Sequence, residues 1–488
     1  MQSKLIFTAA LSCAAVAASN AAYGKSSSGE EGVNVIVIVA DDMGYSATSV
    51  YGAKAPYDKL TPNLDQFGRE GIIFKSGYVS ASTSGPSRAG ILTGRYQQRY
   101  GIYSNCDLQA RGAGVPVEAK MMPAYFKKAG YKTAALGKWH GGHTEGKYPL
   151  DKGFDSFWGF CSAQTNFFAL NDPEIEAFHY YKKPAPIMDG RKKVTDHGYL
   201  TYELTDRAVD FIKKNKDDKF MLYLAYSAVH DPLQAPQAEI AKHTNIPDRA
   251  MKIRAAMLNT LDRGVGEVMQ ALKDCGIDDN TMVVFISDNG GLPNWWNGNN
   301  GELRGNKRER WDGGMRVQYM MRYPKVIDAG QQRDQIVSSI DILPTALSVA
   351  NIKYKSKEFD GIDMSNLFKG GYSENIHDCL FWAGGNAYHE NKRMMPIPAP
   401  GNHDNPPAAW AVRTPKWKLV HFEATGKTHL FDMSVSAREE DSFDVAAKHP
   451  EVIAELTQQW VKWFKGVNTK PVAWNDVFYS KLTDMLKK

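Results

Sequence analysis

Ser84-Gly85-Pro86-Ser87-Arg88 places a small nucleophilic side chain at the threshold of a helix. Pro86 suits the first helical position, where its fixed φ helps and its missing N–H is not needed. Ser84 would then lie beside free backbone N–H groups and the positive end of the helix, an anion-binding arrangement. Arg88 adds a planar fork of donors that fits a tetrahedral oxyanion. A serine by itself is a weak nucleophile, and no base adjoins it in the sequence. Two further segments offer hard oxygen ligands. Asp41-Asp42 closes the apolar run Val35 to Val39, and Asp288-Asn289 closes Thr281 to Ser287. Three carboxylates and an amide suit Ca²⁺ or Mg²⁺ better than zinc. Taken alone, Asp-Asp after a strand is more often a turn or a helix cap. Gly137-Lys138-Trp139-His140, Val229-His230-Asp231-Pro232 and Leu303-Arg304-Gly305-Asn306-Lys307 add cations and imidazoles, each of which in isolation reads as a surface or turn residue.

From Ser84 to Arg95 the chain closely resembles the signature of type I sulfatases in the alkaline phosphatase superfamily. That signature is (Cys/Ser)-x-Pro-Ser-Arg closed by Leu-Thr-Gly-Arg, here Leu92-Thr93-Gly94-Arg95. The resemblance spans residues 33–370 and implies a sulfuric ester hydrolase. It implies that Ser84 is converted to formylglycine (3-oxoalanine), and that one Ca²⁺ is held by Asp41, Asp42, Ser84, Asp288 and Asn289. By the same match Arg88, Lys138 and Lys307 bind sulfate oxygens. His140 contacts the aldehyde hydrate and takes a proton, and His230 protonates the leaving oxygen. Gly141 stands where the family often has Leu, and Asp312 where it commonly has Glu. Ser rather than Cys at position 84 resembles the anaerobic-bacterial branch, which a radical-type formylglycine-generating enzyme matures. This points to a gut-type bacterium degrading sulfated host or algal glycans.

Residues for the sugar itself are less sharply marked. Trp295 and Trp296 could stack on a sugar ring, or simply pack together. His179 and Arg393, with His389 and His403, lie in polar segments that could read hydroxyls or a neighbouring sulfate, or be solvated loops. Lys-Arg-Glu-Arg at 307–310 reads as parts of an anion site or as solvated surface. Two rival functions stay open at this level. A phosphoesterase or phosphonate hydrolase of the superfamily is one; phosphatases of the fold usually carry a second metal held by extra His and Asp, and the signature with its lysines favours sulfate. A non-catalytic glycan-binding protein would carry a broken site.

The elements that must position these residues follow from the apolar pattern. The chain has 488 residues, 43% hydrophobic and 23% charged, with a net charge of +5. This is an ordinary globular composition with no case for a nucleic-acid partner. No segment after residue 25 is long and apolar enough for a membrane span. Lys4, the apolar run Leu5 to Ala18 and small residues at 19–21 read as a cleaved signal peptide over 1–21, with a linker over 22–32. That predicts a periplasmic or secreted protein; lipid anchoring through Cys13 is the weaker alternative, because Ala10 stands where Leu is usual. Cys106, Cys161, Cys275 and Cys379 show no metal spacing and are read as buried free thiols. Continuous β-branched runs alternating with helical segments predict an α/β fold. With the resemblance, this becomes an alkaline-phosphatase-like sandwich over 33–372 around a large, mostly parallel sheet. Residues 373–488 read as a smaller α+β subdomain, an antiparallel sheet with an amphipathic helix over 449–465 whose stripe is Val452, Leu456, Trp460 and Trp463. The candidate residues fall at carboxyl ends of strands, where open α/β sheets bind ligands.

Overall fold

The computed structural model of the chain describes residues 32–103, 105, 114–292, 300–384, 409–422 and 425–467. The expected signal peptide over 1–21 and Cys106 lie outside the described residues, as do Trp295, Trp296, His389, Arg393 and His403.

Asn34–Ala40 lies at the middle of a ten-stranded sheet. Across the sheet the order is Gln331–Arg333, Ile72–Phe74, Tyr319–Arg322, Thr281–Ser287, Asn34–Ala40, Phe220–Ala225, Lys132–Lys138, Ser156–Phe160, Ile187–Asp189 and Lys192–Val194. The five strands from Thr281–Ser287 to Ser156–Phe160 run parallel. Tyr319–Arg322 and the hairpin Ile187–Asp189/Lys192–Val194 are antiparallel additions on either side. Every side chain of Asn34–Ala40 is buried because both faces are covered. Ile36 and Ile38 enter a core with helices Pro62–Arg69, Leu200–Lys214 and Arg249–Asp274. Val35, Val37 and Val39 enter the opposite core with Ser84–Thr93, Met122–Lys128 and Ile342–Val349. Each such side chain contributes about 1.5–3 kcal/mol by burial.

Four antiparallel strands, Leu380–Gly384, Ala409–Arg413, Trp417–Phe422 and Lys427–Asp432, form a separate sheet. Pro450–Val467 covers one face of it, and Trp410 stacks on Trp460 at 4.6 Å between ring centroids. The buried stripe of that helix is Leu456, Trp460, Phe464 and Val467; Val452 and Trp463 are only half-buried. The spacing of four, four and three keeps this stripe on one side of a 3.6-residue helix, and Phe464 takes the place expected for Trp463. The other face of the small sheet packs on Tyr78, Trp311 and Met315. Residues from Gly32 onward cluster as one compact unit.

Cys161, Cys275 and Cys379 are free thiols, but only Cys161 is buried. Cys275 and Cys379 are half-buried, which corrects the expectation of buried thiols: the first caps the end of a surface helix, and the second precedes a strand. No helix among the described residues is long and apolar enough to cross a membrane.

Candidate active site

The helix Ser84–Thr93 begins earlier than the sequence suggests. Thr83 is its N-cap, Ser84 its first residue and Pro86 its third. Proline is tolerated there because the first four N–H groups of a helix have no partner within it. One of those N–H groups, at Gly85, donates to Asn105 Oδ1 at 2.8 Å. Ser84 therefore sits inside the first turn, fully buried, with its hydroxyl aimed at the ends of the neighbouring strands.

There Ser84 Oγ lies 3.3 Å from Asp41 Oδ1 and 3.2 Å from Asn289 Oδ1. The backbone N–H of Asp42 donates to Asp288 Oδ1 at 3.3 Å, and Asn289 Nδ2 donates to Asp42 Oδ1 at 2.8 Å. Ser84, Asp41 and Asn289 thus meet directly, and Asp42 and Asp288 adjoin them from the ends of the same two adjacent strands. Three carboxylates, an amide oxygen and a hydroxyl make an all-oxygen donor set, which fits a hard divalent cation such as Ca²⁺. His230 Nε2 also approaches, 3.6 Å from Asp42 Oδ2. Among the described residues Asp41, Asp42 and His230 form the one group of three such side chains close enough to share a metal. A second such group, usual in phosphatases of the fold, is not found among those residues. The broken site expected of a non-catalytic protein is not found either.

Three cations ring the oxygens. Lys138 Nζ donates to Asp41 Oδ2 at 2.6 Å and lies 3.5 Å from Ser84 Oγ. Lys307 Nζ reaches Asp42 Oδ1 at 2.7 Å and Oδ2 at 2.8 Å. Arg88 spends its fork on Asp288 Oδ2, through Nε at 2.9 Å and Nη2 at 2.8 Å, and on the Lys138 carbonyl. Arg88 is therefore set against a ligand carboxylate rather than free to meet an oxyanion. Charge and burial oppose each other across the site. Burial, reinforced by Asp288, pushes Asp41 up to about 7 against Lys138 and Arg88. Burial acts on Asp42 too, but Lys307, His230 and Lys138 outweigh it and hold that carboxyl below its ordinary range. Burial and Lys307 push His230 down to about 3 despite Asp42. Burial, with Lys138 and Arg88, holds His140 well below its ordinary value. Both ring nitrogens of His140 are buried without a hydrogen-bond partner. A Cβ on Gly85 would stand 3.5 Å from His140 Nε2, so this imidazole lies over the first turn of the Ser84 helix.

The local backbone is bent to make this possible. Asp42 (φ 58°), His140 (φ 54°) and Arg308 (φ 78°) all hold left-handed conformations. Each costs about 1–3 kcal/mol, and such strain concentrates where a side chain must be aimed. Gly290, after Asp288-Asn289, admits no side chain, since a Cβ would fall 1.8 Å from the Gly313 carbonyl. That contact locks the ligand loop to Trp311-Asp312-Gly313-Gly314, and Gly290 N donates to Gly314 O at 3.1 Å. Asp312 itself does not enter the site. Its carboxylate turns towards Lys418, at 2.6 Å.

Supporting residues escaped the sequence reading. Asn105 binds Gly85 N–H, and Asn300 ties Gly291 N–H to the Gly305 carbonyl. Neither belongs to a periodic or spaced pattern, so no sequence signal marks them. His179 is exposed; its backbone carbonyl accepts from Gln234 Nε2, and its charge is felt by Asp231, beside His230.

A family model described as Sulfatase matches residues 33–352. The chain belongs to the sulfatase family. It is a sulfuric ester hydrolase by that membership, as the resemblance implied. A second model, for the C-terminal part of N-sulphoglucosamine sulphohydrolase, matches residues 305–465. The Escherichia coli K12 protein named uncharacterized sulfatase YdeN is 28% identical over 489 residues, 87% of this chain and 84% of that one. The N-acetylgalactosamine-6-sulfatase of Mus musculus is 33% identical over 362 residues, 69% of this chain and 66% of its own. Among solved structures, Ps i-CgsB in complex with k-i-k-neocarrahexaose is 30% identical with a TM-score of 0.80, covering 94% of this chain and 98% of that one.

Proposed function

We propose that this sulfatase removes sulfate from a sulfated carbohydrate, with residue 84 matured to formylglycine by a radical-type enzyme and one Ca²⁺ held by Asp41, Asp42, Asp288, Asn289 and residue 84. The observation that carries the reading is the convergence of Ser84 Oγ, Asp41 and Asn289 within 3.3 Å under the Lys138 ammonium. The relatives support the substrate class: one is named for a sulfated amino sugar, and a structural neighbour binds a carrageenan oligosaccharide. A signal peptide over 1–21, export to the periplasm or medium, and division at 372/373 into catalytic and C-terminal parts belong to the same proposal.

When bound, the cation would acidify the hydroxyl of residue 84 and stabilise charge on the sulfuryl oxygens, and an aldehyde hydrate there would supply the nucleophile an ordinary serine lacks. Lys138 and Lys307 then hold the sulfuryl oxygens from two sides. Arg88 fixes Asp288 and adds positive charge behind them. His230 is held towards the pocket by Nδ1, which donates to the Asp231 carbonyl at 2.8 Å. An arriving sulfate anion raises its proton affinity, so Nε2 can carry a proton to the departing alcohol. His140, uncharged over the first helical turn, takes a proton at residue 84 when sulfate leaves.

Two measurements test this. Mass spectrometry of the peptide across Ser84, from protein made in an anaerobic host, should show the loss of two hydrogens. Desulfation should then be found for at least one monosulfated galactose, N-acetylgalactosamine, glucosamine or fucose. An unmodified Ser84 in fully active protein would refute the nucleophile, and inactivity on all sulfated sugars would refute the substrate class.

A further inference from the structure

Lys307-Arg308-Glu309-Arg310 sends only its first residue to the metal-binding oxygens, and Arg310 is the anomaly of the run. It is 5% exposed. Its Nη1 donates to the Ser82 hydroxyl and to the carbonyls of Arg308 at 3.1 Å and Glu309 at 3.5 Å. Its Nε is buried with no partner. Three other deeply buried arginines have carboxylates: Arg88 has Asp288 at 2.8 Å, Arg316 has Asp312 at 3.6 Å, and Arg322 has Asp278 at 2.7 Å. Among the described residues no ion pair joins Arg310 to an acid. The adjacent Glu309 instead accepts the Asn306 N–H at 2.6 Å. Burial accordingly pushes the guanidinium down to about 10, with Glu309 opposing. A buried cation without a counter-charge is costly, and an anion that completed it would recover that cost.

The place of this guanidinium matters as much as its charge. Ser82 is two residues before Ser84, at most about 7 Å along the chain. Arg308 N–H donates to the Ser82 carbonyl at 2.7 Å and clamps the two segments together. The left-handed turn at Arg308 lets Lys307 reach Asp42 while Arg310 reaches Ser82. One short segment thus holds two cations, Lys307 at Asp42 and Arg310 at Ser82, two residues before Ser84.

We infer that Arg310, with the Ser82 hydroxyl, binds a second anionic group of the substrate, a sulfate or a carboxylate on the same or the adjoining sugar. A guanidinium fork suits both. This rests on the carbohydrate reading above and narrows it to glycans with at least two anions close together.

The test compares a monosulfated sugar that the enzyme cleaves with two relatives of it, one bearing a second sulfate and one joined to a uronate. The readout is the ratio of kcat/KM, two-anion over one-anion substrate, in wild type, Arg310→Gln, Arg310→Lys and Ser82→Ala. Arg310→Gln should lower that ratio at least about tenfold, chiefly through KM, and Arg310→Lys should restore part of it. Whichever two-anion substrate shows the effect identifies the group as sulfate or carboxylate. An unchanged ratio, or an equal loss of kcat on all substrates, would overturn the inference and leave Arg310 as a brace for its loop. If Arg310→Gln does not fold, Arg310→Lys decides by the same ratio. Wild-type enzyme inactive on every sulfated sugar would overturn the carbohydrate reading itself, and the subsite with it.

Discussion

Two clusters of buried charge draw on neighbouring segments, Lys307 close to Asp312 and Ser84 close to Tyr78, and behave oppositely. Around Ser84, three carboxylates and three cations meet with capacity left over: both nitrogens of His140 are unpaired, and oxygens of Ser84, Asp41 and Asn289 crowd together. Around Asp312 the opposite charges are paired with each other. Lys418 Nζ bonds Asp312 Oδ1 at 2.6 Å and lies 3.4 Å from Glu439 Oε1; Tyr78 donates to Asp312 Oδ2 at 2.9 Å; Glu439 accepts the Asp312 N–H at 2.5 Å. Arg413 completes the set by donating to the Tyr78 hydroxyl at 3.1 Å. The first cluster sits at strand ends beneath a helix N-terminus, where ligands enter. The second lies between the large sheet's loops and the small sheet, and it ties them together. Burial of charge alone therefore does not mark function; unsatisfied, converging groups do.

Substitutions should separate the two clusters by what they damage. Ser84→Ala should lower turnover by roughly 10⁴ or more while the melting temperature barely moves; substantial residual turnover in purified variant would dislodge Ser84 from its role. His230→Ala should reduce kcat by about 10²–10⁴, least for substrates with acidic leaving groups such as aryl sulfates. An equal loss on all leaving groups would argue against proton donation at Nε2. Prolonged chelation should abolish activity, and Ca²⁺ should restore it and raise the melting temperature; enzyme that keeps full activity after metal analysis reads zero would break the cation assignment.

Lys418→Met should act on the other cluster. It leaves Asp312 and Glu439 buried without their ammonium and should cost about 3–5 kcal/mol by denaturant melting. Activity per folded molecule should suffer far less than stability. The smallest effect is one of pH. Burial, with Asp312 adding and Lys418 opposing, raises Glu439 from 4.5 to about 7. A group raised in the folded state stabilises most below its unfolded value, and that contribution fades as pH rises through about 7. Wild type should therefore lose stability relative to Glu439→Gln between pH 4.5 and 7; parallel stability curves would show that Glu439 does not titrate there.

Much of this was legible from residue order. Runs such as Val35 to Val39 and Thr281 to Ser287 read as strands covered on both sides, because no polar face interrupts them, and the residues ending them then lie at the sheet's carboxyl edge. The expected sulfatase site residues from Asp41 to Lys307 do come together, because each belongs to a short motif fixed to a strand or helix end. The Ser84 helix starts two residues before the position that Pro86 suggests, since proline is equally at home anywhere in the first turn. The helical stripe at the C-terminus was misjudged at Trp463, since a large aromatic reads as core whether or not a partner surface reaches it.

Sequence alone thus determined the alternating framework and the oxygen-bearing side chains at the strand ends, which depend on residue type and local spacing, while its resemblance to the sulfatases implied the reaction class. The tertiary structure decided which charges neutralise one another. Arg88 is given to Asp288, Asp312 is turned to Lys418, and Arg310 is left facing Ser82 without an acid. Electrostatic pairing falls off over a few ångströms in space and has no relation to distance along the chain. Such choices can be read only once strands separated by hundreds of residues have been laid side by side.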